Sequence, residues 1–137
     1  MDIAALKTGI ATRFTAESTF STALTGGLHW LKGRQNPTYP YAVYFIIANT
    51  PIYTFGQVSE DTLIQFSIFD HDPDDINNDA TLNDCFTKLT NCFDLCDLTV
   101  SGYSHIVMIR GIDHEMQTED DVLQHTVDYR IQIQKSR

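Results

Sequence analysis

The sequence predicts an α+β fold: one domain over residues 1–137, with a mostly antiparallel sheet packed against two helices in the order α-βββ-α-βββ. Three observations predict it. Two stretches carry apolar side chains three and four residues apart, the repeat of a one-sided helix. The stretch His125–Gln134 alternates apolar and polar, the repeat of a strand with one buried face. The run Tyr41–Ala48, introduced by Tyr39-Pro40, is apolar on both alternating faces and so demands cover on both. A chain of this length builds an ordinary core without metal or disulfide staples.

The first helix is expected over about Ile3–Thr15, with Asp2 as N-cap and Ile3, Leu6, Ile10 and Phe14 as its apolar stripe. Gly9 costs it about 1 kcal/mol relative to alanine, so it depends on packing. Ser18–Leu24 adds a short helical turn that Gly26-Gly27 stops. Leu28–Leu31 reads as a short strand and Lys32–Thr38 as a polar loop. After the two-faced strand, Asn49-Thr50-Pro51 reads as a break, and Ile52–Gln57 as a connection rich in apolar side chains. Such residues need a core to tuck into or a partner. The next strand spans Asp61–His71, with Ile64, Phe66 and Ile68 on one face.

Asp72 then reads as the cap of a second helix, with Pro73 at its first position and Asp74 and Asp75 at the positive end of its dipole. That helix is expected to reach Phe93. Its stripe holds Leu82, Cys85, Leu89, Cys92 and Cys96, joined by Phe86 and Phe93. Leu98-Thr99-Val100 and Tyr103–Met116 flank the turn Ser101-Gly102 as a hairpin. The acidic loop Thr118–Asp121 leads into the last strand.

Charge is strongly acidic, −9 overall, and uneven. Residues 1–58 hold four basic against two acidic residues, a balance of +2; from Ser59 onward five basic residues face sixteen acidic ones, a balance of −11. An acidic surface repels phosphates and argues against a protein that grips nucleic acid. No apolar run is long enough to span a bilayer, and residues 1–7 lack a basic region followed by a long apolar block, so the expectation is a soluble intracellular protein. Three cysteines on one helical stripe read as small buried hydrophobes, not as a disulfide framework or zinc knuckle.

No catalytic, cofactor or metal site emerges. Asp70, Asp72 and Asp74 imitate the start of a calcium loop, but Asp75 stands at its glycine and Thr81 at its bidentate glutamate. His114-Glu115 has no second histidine at helical spacing, and His125 falls in phase with the buried face of its strand. No Gly-x-Ser-x-Gly elbow or phosphate-cradling loop occurs. Lys32 and Arg34 beside Trp30 and Tyr39 are too few charges for appreciable counterion-release affinity.

The ordered elements resemble the tail-terminator (tail-completion) proteins of long-tailed bacteriophages over nearly the whole chain. The resemblance rests on the first helix with Leu6, Ile10 and Phe14, then Gly26-Gly27-Leu28, and the Tyr39-Pro40-Tyr41-Ala42-Val43 entry into a strand. It continues through Leu63–Phe69, the following helix, Leu98–Gly102 and the closing Val122–Arg130. It implies a structural virion protein without catalysis or cofactor. Such proteins form a ring, usually of six copies, on the head-proximal end of the tail tube. The ring ends tube polymerisation and meets the head connector, and DNA passes through its lumen.

The implied partners are other copies of the chain, the tail tube protein and the head connector or completion protein, with no membrane. The implied place is the virion tail, after assembly in the host cytoplasm. Tyr44, Ile46, Ile52, Tyr53 and Phe55 are the candidate subunit or tube contacts; the free strand face carries either Ala42, Tyr44, Ile46 and Ala48 or their opposites. Glu119, Asp120 and Asp121 are candidates for an acidic lumen. Another head-tail joining protein, or a small ligand-binding α+β domain, is the alternative.

Overall fold

Among the described residues, three helices and five strands follow one another as α1 (Ile3–Ala16), α2 (Ser18–Ala23), β1 (Leu28–Trp30), β2 (Tyr41–Thr54), β3 (Gln57–Asp70), α3 (Ala80–Phe93), β4 (Tyr103–Gln117) and β5 (Leu123–Lys135). A computed structural model describes residues 1–33, 35–75, 77–118 and 121–135, with the backbone alone of His105 and Ile106. The strands form a single sheet in the order β1-β2-β3-β5-β4. β1 runs parallel to β2; the other three pairings are antiparallel. The α+β class holds, while the strand count and order differ from the expectation.

Asp2 caps α1 as expected, its carboxylate accepting from the Ala5 N–H at 3.1 Å. Leu6 and Ile10 are fully buried from that helix. Gly9 is required rather than merely tolerated. A β-carbon there would lie 2.3 Å from the Thr99 carbonyl oxygen, so only glycine lets α1 lie this close to the 97–100 segment.

The core lies between the three helices and one face of the sheet. Phe66 is at its middle. Its ring stacks on Tyr44 (5.6 Å between centroids) and on Phe93 (4.9 Å), and Tyr129 meets it edge-on at 5.7 Å. β2, β3, β5 and α3 are thereby joined by one aromatic cluster. Phe20 extends the cluster to α2 through Phe93, and Phe14 extends it to α1. Each aromatic pair adds about 0.5–1.5 kcal/mol beyond its buried area. The Tyr129 hydroxyl, deep in this core, donates to Asp94, which also faces Arg110 at 3.5 Å.

Three local expectations are corrected. First, β2 does not break at Asn49-Thr50-Pro51 but continues to Thr54, paired with β3 on both sides of an extra residue at Ile47. β1 covers β2 only opposite Ala42–Tyr44, so Pro51 sits on a sheet edge, where its missing N–H interrupts no ladder. Second, α3 begins at Ala80 instead of Pro73. Asp72 does accept backbone N–H groups, from Asp74 at 2.9 Å and Asp75 at 3.3 Å, and its second oxygen accepts from the Asn78 side chain. These bonds close local turns instead of a helix. Third, Leu98-Thr99-Val100 belongs to none of the described strands. Leu98 and Val100 are buried beside α1, and the turn that follows is closed by Tyr103 N–H to the Val100 carbonyl at 3.0 Å.

All three cysteines are buried in the core. Burial pushes the Cys85 thiol up to about 11 and Cys92 up to about 12, and it raises Cys96 as well. Thiols held this way are shielded and un-ionised at neutral pH. Against a thiol-specific reagent at pH 8, the folded protein should react about a hundredfold more slowly than the denatured chain. All three groups should then titrate once denaturant is added. A fast-reacting thiol in the folded protein contradicts the packing described.

Candidate assembly interface

The sheet has one covered face and one open face, and the register says which residue is on which. Ala42, Tyr44, Ile64, Phe66, Ile68, Val127, Tyr129, Ile131 and Ile133 point to the helices and are buried. Opposite them, the open face carries Tyr41, Val43 and Phe45 from β2, and Leu63, Gln65, Ser67 and Phe69 from β3. β5 adds Gln124, Thr126, Asp128, Arg130 and Gln132.

This settles the phase of the two-faced strand. Tyr44 is only 4% exposed, its ring held between Trp30 and Phe66, and burial pushes its phenol up to about 12. Ile46 packs against the same core. The protein's own helices thus take the Ala42–Tyr44–Ile46 phase, and the opposite phase carries no helix, although Val43 on it is only 8% exposed. An extra residue at Ile47 shifts the register with β3, so Ala48 stands opposite Leu63 on the open face.

The open face grades from aromatic to polar. Tyr41 and Phe69 stack at 5.1 Å, and with Leu31, Val43, Phe45, Gln65 and Gln124 they line a shallow depression of about 330 Å³. Toward β5 the side chains pair across strands: the Ser67 and Thr126 hydroxyls lie 3.2 Å apart, and Arg130 Nε donates to Asp61 at 3.0 Å. That guanidinium holds the Asp61 carboxyl below the usual range.

Exposed apolar surface is concentrated at the β2–β3 hairpin and along β4. Thr54 pairs with Gln57, leaving Phe55-Gly56 as a two-residue turn with Gly56 at φ +80°, a conformation glycine adopts without strain. Pairing of β3 with β5 extends only to Ser59, and beyond it the Gln134 side-chain amide donates to the Gln57 side chain at the base of the turn. Ile52 (44%), Tyr53 (74%) and Phe55 (fully exposed) stand on that tip. The apolar loop read from the sequence is therefore a projecting hairpin, and it does not tuck into the core. Ile109, Ile112 and Met116 on β4 form a second exposed apolar set that sequence reasoning missed. Their spacing is disturbed by an irregular register between Arg110 and Asp113, which hides the alternation that could have revealed them.

Of the acidic candidates, Glu119 and Asp120 lie outside the described residues. Asp121 is exposed at φ +58°; its carboxylate accepts from the Gln117 amide at 3.3 Å, and its carbonyl lies 3.1 Å from the His71 ring. No three His, Cys, Asp or Glu side chains among the described residues converge to hold a metal ion. A depression of about 520 Å³ between α1 and residues 97–101 is lined by alanine, threonine and glycine with Asp2, Arg13 and Asp97, and by neither histidine nor cysteine. Among the described residues no helix is long and apolar enough to cross a membrane.

His125 is a packed histidine. Its ring stacks on Phe86 at 3.7 Å, and Nε2 is 2.9 Å from Asp113. Beside it, Glu115 is held above the usual carboxylate range by burial and by its hydrogen bond and repulsion with Asp79, against the opposing pull of His125.

Two predictions follow from these placements. Tyr44→Glu should destabilise the fold by more than about 4 kcal/mol, because it buries an unpaired charge, whereas Phe55→Ser should stay within about 0.5 kcal/mol of the parent. Thermal melts of both variants check this. Glu115 binds its proton more tightly folded than unfolded, so its contribution is fully present below its unfolded pKa and is lost as pH rises through the folded value. Glu115→Gln should therefore raise the urea midpoint at pH 7.5, with the gain vanishing near pH 3.5.

No family model and no curated protein matches the sequence. Solved structures do match. A chain from the structure described as "Virion of native gene transfer agent (GTA) particle" superposes with a TM-score of 0.82 at 11% identity, over 96% of each chain. A second solved chain, which carries no functional description, superposes at 0.61 and 11% identity over 100% of this chain and 97% of its own. At such identity the shared property is the fold: this chain has the fold of a protein found within a gene transfer agent virion.

Proposed function

We propose that this chain is a structural virion protein that caps the tail tube as an oligomeric ring, ends tube polymerisation and gives the head connector its joining surface. The observation that carries the reading is the shared fold, complete over 96% of both chains, with a component of a gene transfer agent virion. The order of sequence elements supports the terminator station within such a particle. The bare hairpin tip supports a role in assembly, since a projecting turn carrying Ile52, Tyr53 and Phe55 is apolar surface that a partner covers. On this reading the chain acts without catalysis, at the head-proximal end of the tail. Its partners are further copies of itself in a hexamer, the tube protein and the connector. Glu119, Asp120 and Asp121 belong to the lumen, where an acidic wall lets the phosphate backbone of DNA slide past instead of binding it.

The test is to add the purified protein to polymerising tail tube protein and measure tube lengths by negative-stain imaging. Growth should stop, with the added protein at one end of each tube. Tyr53→Ser combined with Phe55→Ser should weaken capping about tenfold or more while leaving the melting temperature unchanged. Tubes that grow to the same length with and without the protein defeat the terminator reading. Binding to heads or connectors alone assigns the chain to another head-tail joining station.

A further inference from the structure

We infer that copies of this chain join head-to-tail through their sheet edges, the β2 edge of one copy pairing with the β4 edge of the next. This deepens the ring proposed above and rests on that reading for its biological setting. The two edges themselves are features of the fold.

Both edges are free over matching lengths. β1 covers β2 only as far as Tyr44, and every residue of Ile47–Thr54 is exposed. Among the described strands β4 pairs with β5 only; its Met108 carbonyl accepts from the Leu95 N–H, and every residue from Ile109 to Gln117 beyond is exposed. An open edge presents unpaired N–H and C=O groups, which accept another extended strand by main-chain hydrogen bonding. Each edge also carries the apolar side chains that would pack beside such a ladder: Ile47, Ile52 and Tyr53 on one, Ile109, Ile112 and Met116 on the other.

Charge selects the occupant. The strand order puts α1, β1 and β2, all within the +2 half of the chain, at one end of the sheet and β4 at the other. Lys7, over the Trp30 ring at 5.2 Å, lies at the first end. Arg110 is outnumbered at the second by Asp113 and Glu115. Joining two β4 edges would gather the Asp113 and Glu115 carboxylates of both copies along one ladder, where like charges directly opposed are destabilising. Ile47–Thr54 holds no charged residue at all, so β2 meets β4 without opposing any charge. A second copy, offered by its unlike edge, is the partner that relieves the asymmetry. Such a heterologous contact closes into a ring when the rotation per copy divides a full turn. The register irregularities in β2 and β4 bend their strands and supply rotation. Pro51 gives a neighbour no donor, so the ladder forms mainly on either side of it.

Two exposed substitutions test this. Ile52→Lys disables the β2 edge and Ile112→Lys the β4 edge, with circular dichroism and melting temperature confirming that both fold. By light scattering, the parent chain should self-associate, and each variant alone should do so at least about tenfold more weakly. Mixed one to one, they should form a dimer and nothing larger, because one good edge of each kind remains. In the parent, hydrogen exchange at residues 47–54 and 109–117 should slow on association. Four results overturn the inference: a parent that stays monomeric at the highest attainable concentration, a lone variant that dimerises like the parent, a mixture that stays monomeric, and association that leaves both edges exchanging freely. Tube capping is measured separately. Chains that associate by these edges but ignore tubes sink the terminator reading and leave the edge contact standing.

Discussion

The structure depends on the aromatic cluster around Phe66. One ring on β3 stacks on Tyr44 of β2 and Phe93 of α3 and meets Tyr129 of β5 edge-on, so a single site fixes three strands and a helix relative to one another. Because this cluster lies entirely on one side of the sheet, all three helices gather there, and their apolar faces are spent there. The other side carries no helix and is covered only in part, by the 31–33 segment beside Tyr41 and Val43. The open face, the projecting hairpin and the two bare edges are consequences of that one-sided core.

The edges carry features that oppose indiscriminate strand pairing. A long bare edge invites any extended chain. Here β2 has an extra residue at Ile47 and a proline four positions later, and β4 intersperses Arg110, Asp113 and Glu115 among its apolar residues. The net charge of −9 adds mutual repulsion between copies, screened at physiological salt beyond about 8 Å. A partner must therefore fit the irregular edge to be held, and indiscriminate pairing is penalised.

Much of the fold was legible in the sequence, and the misreadings have identifiable causes. Leu6, Ile10 and Phe14, the 82–96 stripe and the alternation of β5 were readable because each borders on a polar opposite, which makes the periodicity visible. Tyr41–Ala48 has no polar phase, so its pattern showed a strand without showing which face the helices take. Only the Tyr44 stack on Phe66 decides that, and it depends on residues 22 positions apart. Pro51 reads as a breaker in one dimension and becomes harmless once β2 is known to be an edge. Asp72–Asp75 carries the signals of a helix start, yet the same carboxylates close turns when Asn77 and Asn78 follow. Of the candidate contacts, Ile52, Tyr53 and Phe55 were visible as apolar residues beside Gly56, while Ile109, Ile112 and Met116 were hidden by the register shift that exposes them.

The uneven charge, first noticed as a property of the linear chain, acquires direction from the topology. Had the strands followed sequence order with β4 inside the sheet, the acidic half would have been spread through its middle. The order β1-β2-β3-β5-β4 instead gives the sheet unlike ends. A sheet with unlike ends disfavours symmetric pairing of its acidic edges, whereas stacking unlike ends keeps acidic groups apart at every junction. Screening weakens this preference as salt rises, while the apolar side chains and main-chain bonds at the edges are far less sensitive to it. In the edge pairing inferred above, charge would bear on which edges meet, and the backbone and apolar contacts on how firmly they hold.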